Sequence, residues 1–199
     1  DSTEHGTPMA WKLRAARACG EEFFDLDPAC SAPFRGHALH LLSERGLETP
    51  WLSEGATGVS STLFLNCPGD ARLWWSKLIE EVLAGRVLKA VYLAYSIEQI
   101  PASYAWTKGV YPMSAFCVAY PHEYRGRIRY EALARDVAAK KAEALRKLAA
   151  EAKTERGRDA RLAKAAELEA LPPDALVPGD QPTHASAFVG VGIEWDAWL

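Results

Sequence analysis

The sequence predicts an α/β protein, a sheet with helices on both faces that carries an inserted helical hairpin. Three observations predict it. Short apolar runs alternate with helix-periodic segments along most of the chain. The longest run, Val87 to Tyr95, is almost continuously apolar and rich in β-branched and aromatic residues, as a central strand requires. One stretch, Glu131 to Leu171, is built mainly of Ala, Lys, Arg, Glu and Leu, with a single glycine and no proline.

Taken in order, Pro8 to Cys19 reads as a helix with Met9, Leu13 and Ala16 on its apolar face, closed by Gly20. Glu22 to Leu26 is a short strand that ends in Asp25 and Asp27 before Pro28. Phe34 to Arg45 reads as a second helix stopped by Gly46, and Glu48 to Ser61 as loop. Ser61 to Leu65 is a strand running into Asn66-Cys67-Pro68-Gly69-Asp70. Asp70 suits an N-cap. The helix after it repeats Trp74, Trp75, Leu78, Ile79, Val82 and Leu83 at helical spacing and ends at Gly85. Val87 to Tyr95 follows as a strand, then a turn and short helix from Ile97 to Trp106. Ser114 to Tyr120, Arg125 to Tyr130 and Ala185 to Ile193 complete the strands.

Within Glu131 to Leu171, one apolar stripe holds Leu133, Val137, Leu145, Leu148 and Ala152, and a second holds Leu162, Ala165, Leu168 and Leu171. Gly157 sits where a hairpin could turn, and Pro172-Pro173 ends it. The domain division is therefore 1–130 with 172–199 for the sheet, and 131–171 for the hairpin.

Composition narrows the classes. The 199 residues suit one domain with an appendage, and 14 glycines with 12 prolines exclude collagen-like and globally disordered chains. A net charge of −3 means that a nucleic-acid partner would need a local basic patch. Ten basic against eight acidic residues make the hairpin the more basic part of the chain. It could clamp a nucleic acid, pair with a second copy as a homodimer, or simply lean on the domain as a solvated insertion. No run of 18 apolar residues exists, so no membrane helix is expected, and Asp1 to Pro8 is unlike a secretory signal. Cys19, Cys30, Cys67 and Cys117 form no metal knuckle and read as reduced thiols of a cytoplasmic protein. His37 and His40 could share a helix face, but no further ligand completes a metal set, so no metal is expected.

Several stretches together resemble the phage-type DNA adenine-N6 methyltransferases, the Dam-like family. Thr7-Pro8 opening a helix is similar to that family's N-terminal Thr-Pro element. Phe24-Asp25-Leu26-Asp27-Pro28-Ala29, with Ser31-Ala32, resembles its acidic strand end. Gly46-Leu47 through Trp51, then Leu63-Phe64-Leu65-Asn66, resembles the approach to its catalytic loop. Gly126-Arg127-Ile128-Arg129-Tyr130 looks like its late Gly-Arg strand, and Ser186-Ala187 like the start of its last strand. The resemblance covers most of the chain outside the hairpin. It implies a Rossmann-like methyltransferase that uses S-adenosylmethionine on DNA, in the host cytoplasm if phage-encoded.

The residue types suit that chemistry. A cofactor with an ammonium, a carboxylate and ribose hydroxyls needs acceptors and an anion-tolerant loop, and α/β sheets place ligands at strand carboxyl ends. The resemblance assigns Thr7, Pro8, Asp25, Asp27 and Asn66 to the cofactor. It assigns Asn66, Cys67 and Pro68 to catalysis, with the Asn66 side chain and the following carbonyl accepting from the exocyclic amine of a flipped base. The family's loop carries Pro-Pro and then an aromatic, whereas here Cys67 replaces one proline and Gly69 the ring. Trp74 or Trp75 could supply that ring. Two alternatives stay open: a cytosine C5 methyltransferase with Cys67 as nucleophile, and a non-catalytic relative that binds DNA or cofactor. For DNA, Arg125, Arg127 and Arg129 alternate on one strand and share a face. Lys140, Lys141, Arg146 and Lys147 would extend a phosphate-contact surface onto the hairpin.

Overall fold

The structure is a computed structural model; it describes residues 6–30, 37–41, 45–51, 61–96, 98–99, 102, 116–119, 130–179 and 186–193. The chain divides into two compact units. One comprises Thr7–Ile128 with Pro182–Leu199, the other Asp1–Gly6 with Arg129–Gln181.

The first unit holds helices α1 (Met9–Ala18) and α2 (Ala71–Leu83). Its strands are β1 (Phe24–Asp27), β2 (Ala38–Leu41), β3 (Ser61–Leu65), β4 (Val87–Ala94), β5 (Phe116–Ala119) and β8 (Ala187–Val191). They form one sheet in the order β2-β1-β3-β4-β8-β5. β1 pairs in parallel with β2 and β3, and β3 with β4, while β8 runs antiparallel to both β4 and β5. The fold is therefore mixed α/β on a mostly parallel sheet.

Each element has a local cause. Pro8 precedes α1 with φ −56°, and its carbonyl accepts from Trp11 N (3.0 Å), so its missing N–H costs nothing there. Gly20 ends α1 at φ +81°, with its N–H on the Arg17 carbonyl and Glu21 N on that of Ala16. Asp70 caps α2 by accepting from Arg72 N at 2.9 Å, and Gly85 ends that helix at φ +72°.

Strand alternation shows the layering. Leu26, Leu63, Leu65, Ala90, Tyr92, Ala94, Val189 and Val191 share one apolar cluster with Trp74, Trp75, Leu78 and Ile79 of α2. Phe188 lies between the positions that face α2, and its ring meets Trp11 of α1 at 5.4 Å. α1 and α2 thus cover opposite faces. The buried side of α1 is Trp11, Lys12, Ala15 and Ala16 rather than Met9 and Leu13, which are over a third exposed. One large ring among small residues lets this short helix lie close to the sheet.

The helix predicted over Phe34 to Arg45 is replaced, in its described part, by edge strand β2. Phe24 aligns with Ala38, Leu26 with His40 and Asp27 with Leu41. Pairing with β1 outweighs a modest helical preference, and it removes the helix face expected to join His37 and His40. His37 instead donates through Nε2 to the Glu22 carbonyl at 2.6 Å, with its ring 4.6 Å from that of Phe23.

In the second unit, β6 (Glu131–Leu133) pairs antiparallel with β7 (Leu176–Pro178), and Gly6 bridges Glu131 on the other side. Helices α3 (Ala134–Ala150) and α4 (Glu155–Glu169) follow β6 as a hairpin. Residues 131–133, predicted as helix, are strand because β7 is there to pair with them. The hairpin turns at 151–154, where Thr154 Oγ1 accepts from Gly157 N at 3.2 Å. Gly157 therefore lies in the first turn of α4 and not at the bend. Ala142, Ala149 and Ala165 are buried, whereas Leu148 and Leu162 of the predicted stripes are 50% and 42% exposed. No helix among the described residues is long and apolar enough to cross a membrane.

Candidate active site at the carboxyl edge of the sheet

The chain leaves β1 for β2 on one side and reaches β3 on the other, so the strand order reverses between β1 and β3. In open α/β sheets a crevice at the carboxyl ends of such a strand pair takes ligands. Asp27 is the last residue of β1, and Asn66 follows β3 directly. Because Leu26 and Leu65 face α2, Asp27 and Asn66 turn toward the α1 face.

There Asn66 Nδ2 donates to Thr7 Oγ1 at 3.0 Å, a bond between residues 59 apart. Thr7 is buried just ahead of Pro8, so the start of α1 is tied to the end of β3. In this orientation the amide oxygen of Asn66 accepts nothing among the described residues and remains an open acceptor. Asp27 is 5% exposed. Burial pushes its carboxyl up to about 6, against the opposing pull of the Lys12 ammonium and a 3.3 Å bond from Ala29 N. Lys12 is also buried at 5% exposure. Sequence reading missed it; its one signal was a charge within the buried side of α1.

Asp25 has a different task. Its Oδ2 accepts from Thr62 N (2.8 Å) and Thr62 Oγ1 (3.1 Å), and its own N–H donates to Thr62 Oγ1. Two residues back from the strand end, it clamps β1 to β3. The structure thus separates the two aspartates that the sequence grouped together.

The loop after Asn66 is held from below. Cys67 packs against the α2 cluster, and its thiol donates to the Tyr92 hydroxyl at 3.8 Å. Burial pushes that thiol up to about 11, only partly opposed by the Tyr92 bond. The Pro68 carbonyl accepts from Trp74 Nε1 at 2.9 Å. Trp74 stacks on fully buried Trp51, and Trp75 meets Tyr92 edge-on. Both tryptophans of α2 are core, so neither supplies the ring that the loop lacks.

Trp51 is anchored in turn. Its Nε1 donates to the Gly46 carbonyl (2.6 Å) and its N–H to Glu81 (3.2 Å). Burial raises the Glu81 carboxyl, but bonds from Arg86, Lys77 and Trp51 N outweigh this and hold it below the usual range.

The predicted phosphate contacts divide. Arg125, Arg127 and Arg129 lie outside the described residues. Lys141 donates to the Pro178 and Gly179 carbonyls, closing the β6–β7 ribbon. Arg146 forms a bidentate pair with Glu169 (2.7 and 2.5 Å), and Lys147 pairs with Glu143 at 2.7 Å. Lys140 is exposed. Three of the four hairpin cations are thus engaged within their own unit, which weakens the basic surface expected there. Among the described residues, no three His, Cys, Asp or Glu side chains gather as a metal site.

No protein-family model, curated protein or solved structure matches the chain.

Proposed function

We propose that the protein is an S-adenosylmethionine-dependent methyltransferase acting on an exocyclic amine of a DNA base, with its cofactor across the carboxyl ends of β1 and β3. The observation that carries this reading is the Asn66–Thr7 bond beside buried Asp27, where the strand order reverses. The site fits the cofactor's chemistry. Asp27 is a buried acceptor for an ammonium or ribose hydroxyls, and Lys12 and the start of α1 tolerate a carboxylate. When bound, the cofactor supplies an activated methyl group.

The protein's own part is positioning. Asn66 Oδ1 accepts one amine N–H and the Cys67 carbonyl a second, which turns the nitrogen lone pair toward the methyl donor. The amide cannot swing away, because Thr7 holds its nitrogen. DNA as the carrier of the amine rests on the sequence resemblance. The alternative with Cys67 as nucleophile finds no support, since its thiol is protonated at neutral pH and bonds to a hydroxyl rather than a base.

Calorimetry with S-adenosylmethionine and S-adenosylhomocysteine tests the reading. Binding is expected, and Asp27→Ala should weaken it about tenfold or more, the worth of one charge-assisted hydrogen bond. No heat and no thermal shift at millimolar cofactor would remove the methyltransferase reading.

A further inference from the structure

We infer that Tyr92 is a positioning residue for methyl transfer: through the Cys67 side chain it fixes the backbone of the Asn66–Pro68 loop, the task that a proline at position 67 would perform. The inference deepens the proposed function and rests on it, since the carbonyl being positioned is that of Cys67.

Pro68 sets its own φ and confines the residue before it to extended ψ. The φ of Cys67 has no such constraint, so the loop can pivot at the residue whose carbonyl takes the amine. A side-chain anchor removes that pivot. Cys67 packs against the α2 cluster, and its thiol donates to the Tyr92 hydroxyl at 3.8 Å. Tyr92 is 1% exposed, aligns with Leu65 at the end of β3, and meets the Trp75 ring edge-on. Its hydroxyl donates onward to Gln99 Oε1 at 3.0 Å. The acceptor thus belongs to the core, while the donor belongs to the loop. The residues on either side are held from elsewhere, Asn66 by Thr7 ahead of α1 and Pro68 by Trp74 of α2. Three consecutive residues are therefore fixed from three separate elements. The Cys67 carbonyl accepts no hydrogen bond among the described residues, so the anchoring leaves it open to the amine.

Tyr92→Phe keeps the ring in the core and removes the hydroxyl, and Cys67→Ala removes the other half of the bond. Each should lower kcat about tenfold, with KM for DNA and S-adenosylhomocysteine affinity unchanged. The double variant should be no slower than either single one, because both changes remove the same contact. Alkylation by N-ethylmaleimide, read at each cysteine by peptide mass spectrometry, reports on the loop without catalysis. In Tyr92→Phe, Cys67 should react several-fold faster, and the buried Cys19 and Cys30 at the wild-type rate. Additive losses in kcat, an unchanged kcat in either single variant, or unchanged Cys67 alkylation would overturn the inference. Equal acceleration at all three cysteines would overturn it too, since that marks general loosening. If wild type transfers no methyl group, the methyltransferase reading fails, and the alkylation decides the tether alone: faster reaction confined to Cys67 upholds it, and any other pattern removes it.

Discussion

Asp27 and Cys67 show how far residue identity alone carries. Each was legible as a polar or reactive side chain at a strand's carboxyl end, but burial decides what it does. Asp25 and Asp27 read alike in sequence; one clamps Thr62 and the other stands at the strand end with its carboxyl raised to about 6. Nothing in the sequence could rank them, because the partner Thr62 is 37 residues away. The Asp27 shift has a consequence for stability. Its folded value lies above the ordinary value of 3.8, so between the two the folded state holds a proton that the unfolded chain has released. Stability tied to this group is full below about 3.8, falls as pH rises toward 6, and is level above it. Asp27→Asn should match wild type at pH 4 and exceed it by on the order of 2–3 kcal/mol at pH 7 to 8, while losing cofactor affinity. Thermal melts of both proteins from pH 4 to 8 measure this. A difference independent of pH, or a less stable variant at pH 8, would show that Asp27 is not a buried carboxylate held against a cost.

Among elements, those with a punctuating residue were the legible ones. α1 between Pro8 and Gly20, α2 between Asp70 and Gly85, and the apolar run of β4 follow from local chemistry. β2, β6 and β7 were not legible, because each is strand only through its partner, and three or four residues carry too little pattern. The sequence pattern predicts the end of a helix and then loop over 45–51, yet this segment forms the tie between the β1 turn and α2. A Cβ at Gly46 would lie 2.0 Å from the Pro28 carbonyl oxygen, and that neighbour is backbone that cannot rotate away. Gly46→Ala should therefore cost about 1–3 kcal/mol, as overpacking does. The midpoint of denaturant unfolding measures it. An unchanged midpoint would mean that this segment does not lie against Pro28.

For the molecule as a whole, the sequence conveyed an α/β sheet and a charged hairpin because both are repetitive patterns. The site was legible only in part. Thr7 and Asn66 stood out through resemblance, but their mutual bond and the burial of Lys12 depend on strand order and packing, which no local pattern encodes. The hairpin's net basic charge suggested a nucleic-acid clamp, whereas pairing of its cations with local carboxylates and carbonyls leaves less of it for phosphates. On the proposed function, the methyl group goes to an amine, positioned by Asn66 and without covalent help from Cys67. Nucleoside mass spectrometry after incubating DNA with the protein and S-adenosylmethionine measures this directly. N6-methyladenine or N4-methylcytosine should form with wild type and with Cys67→Ala, and vanish with Asn66→Ala. No methylated nucleoside at all, or 5-methylcytosine that disappears with Cys67→Ala, would contradict it.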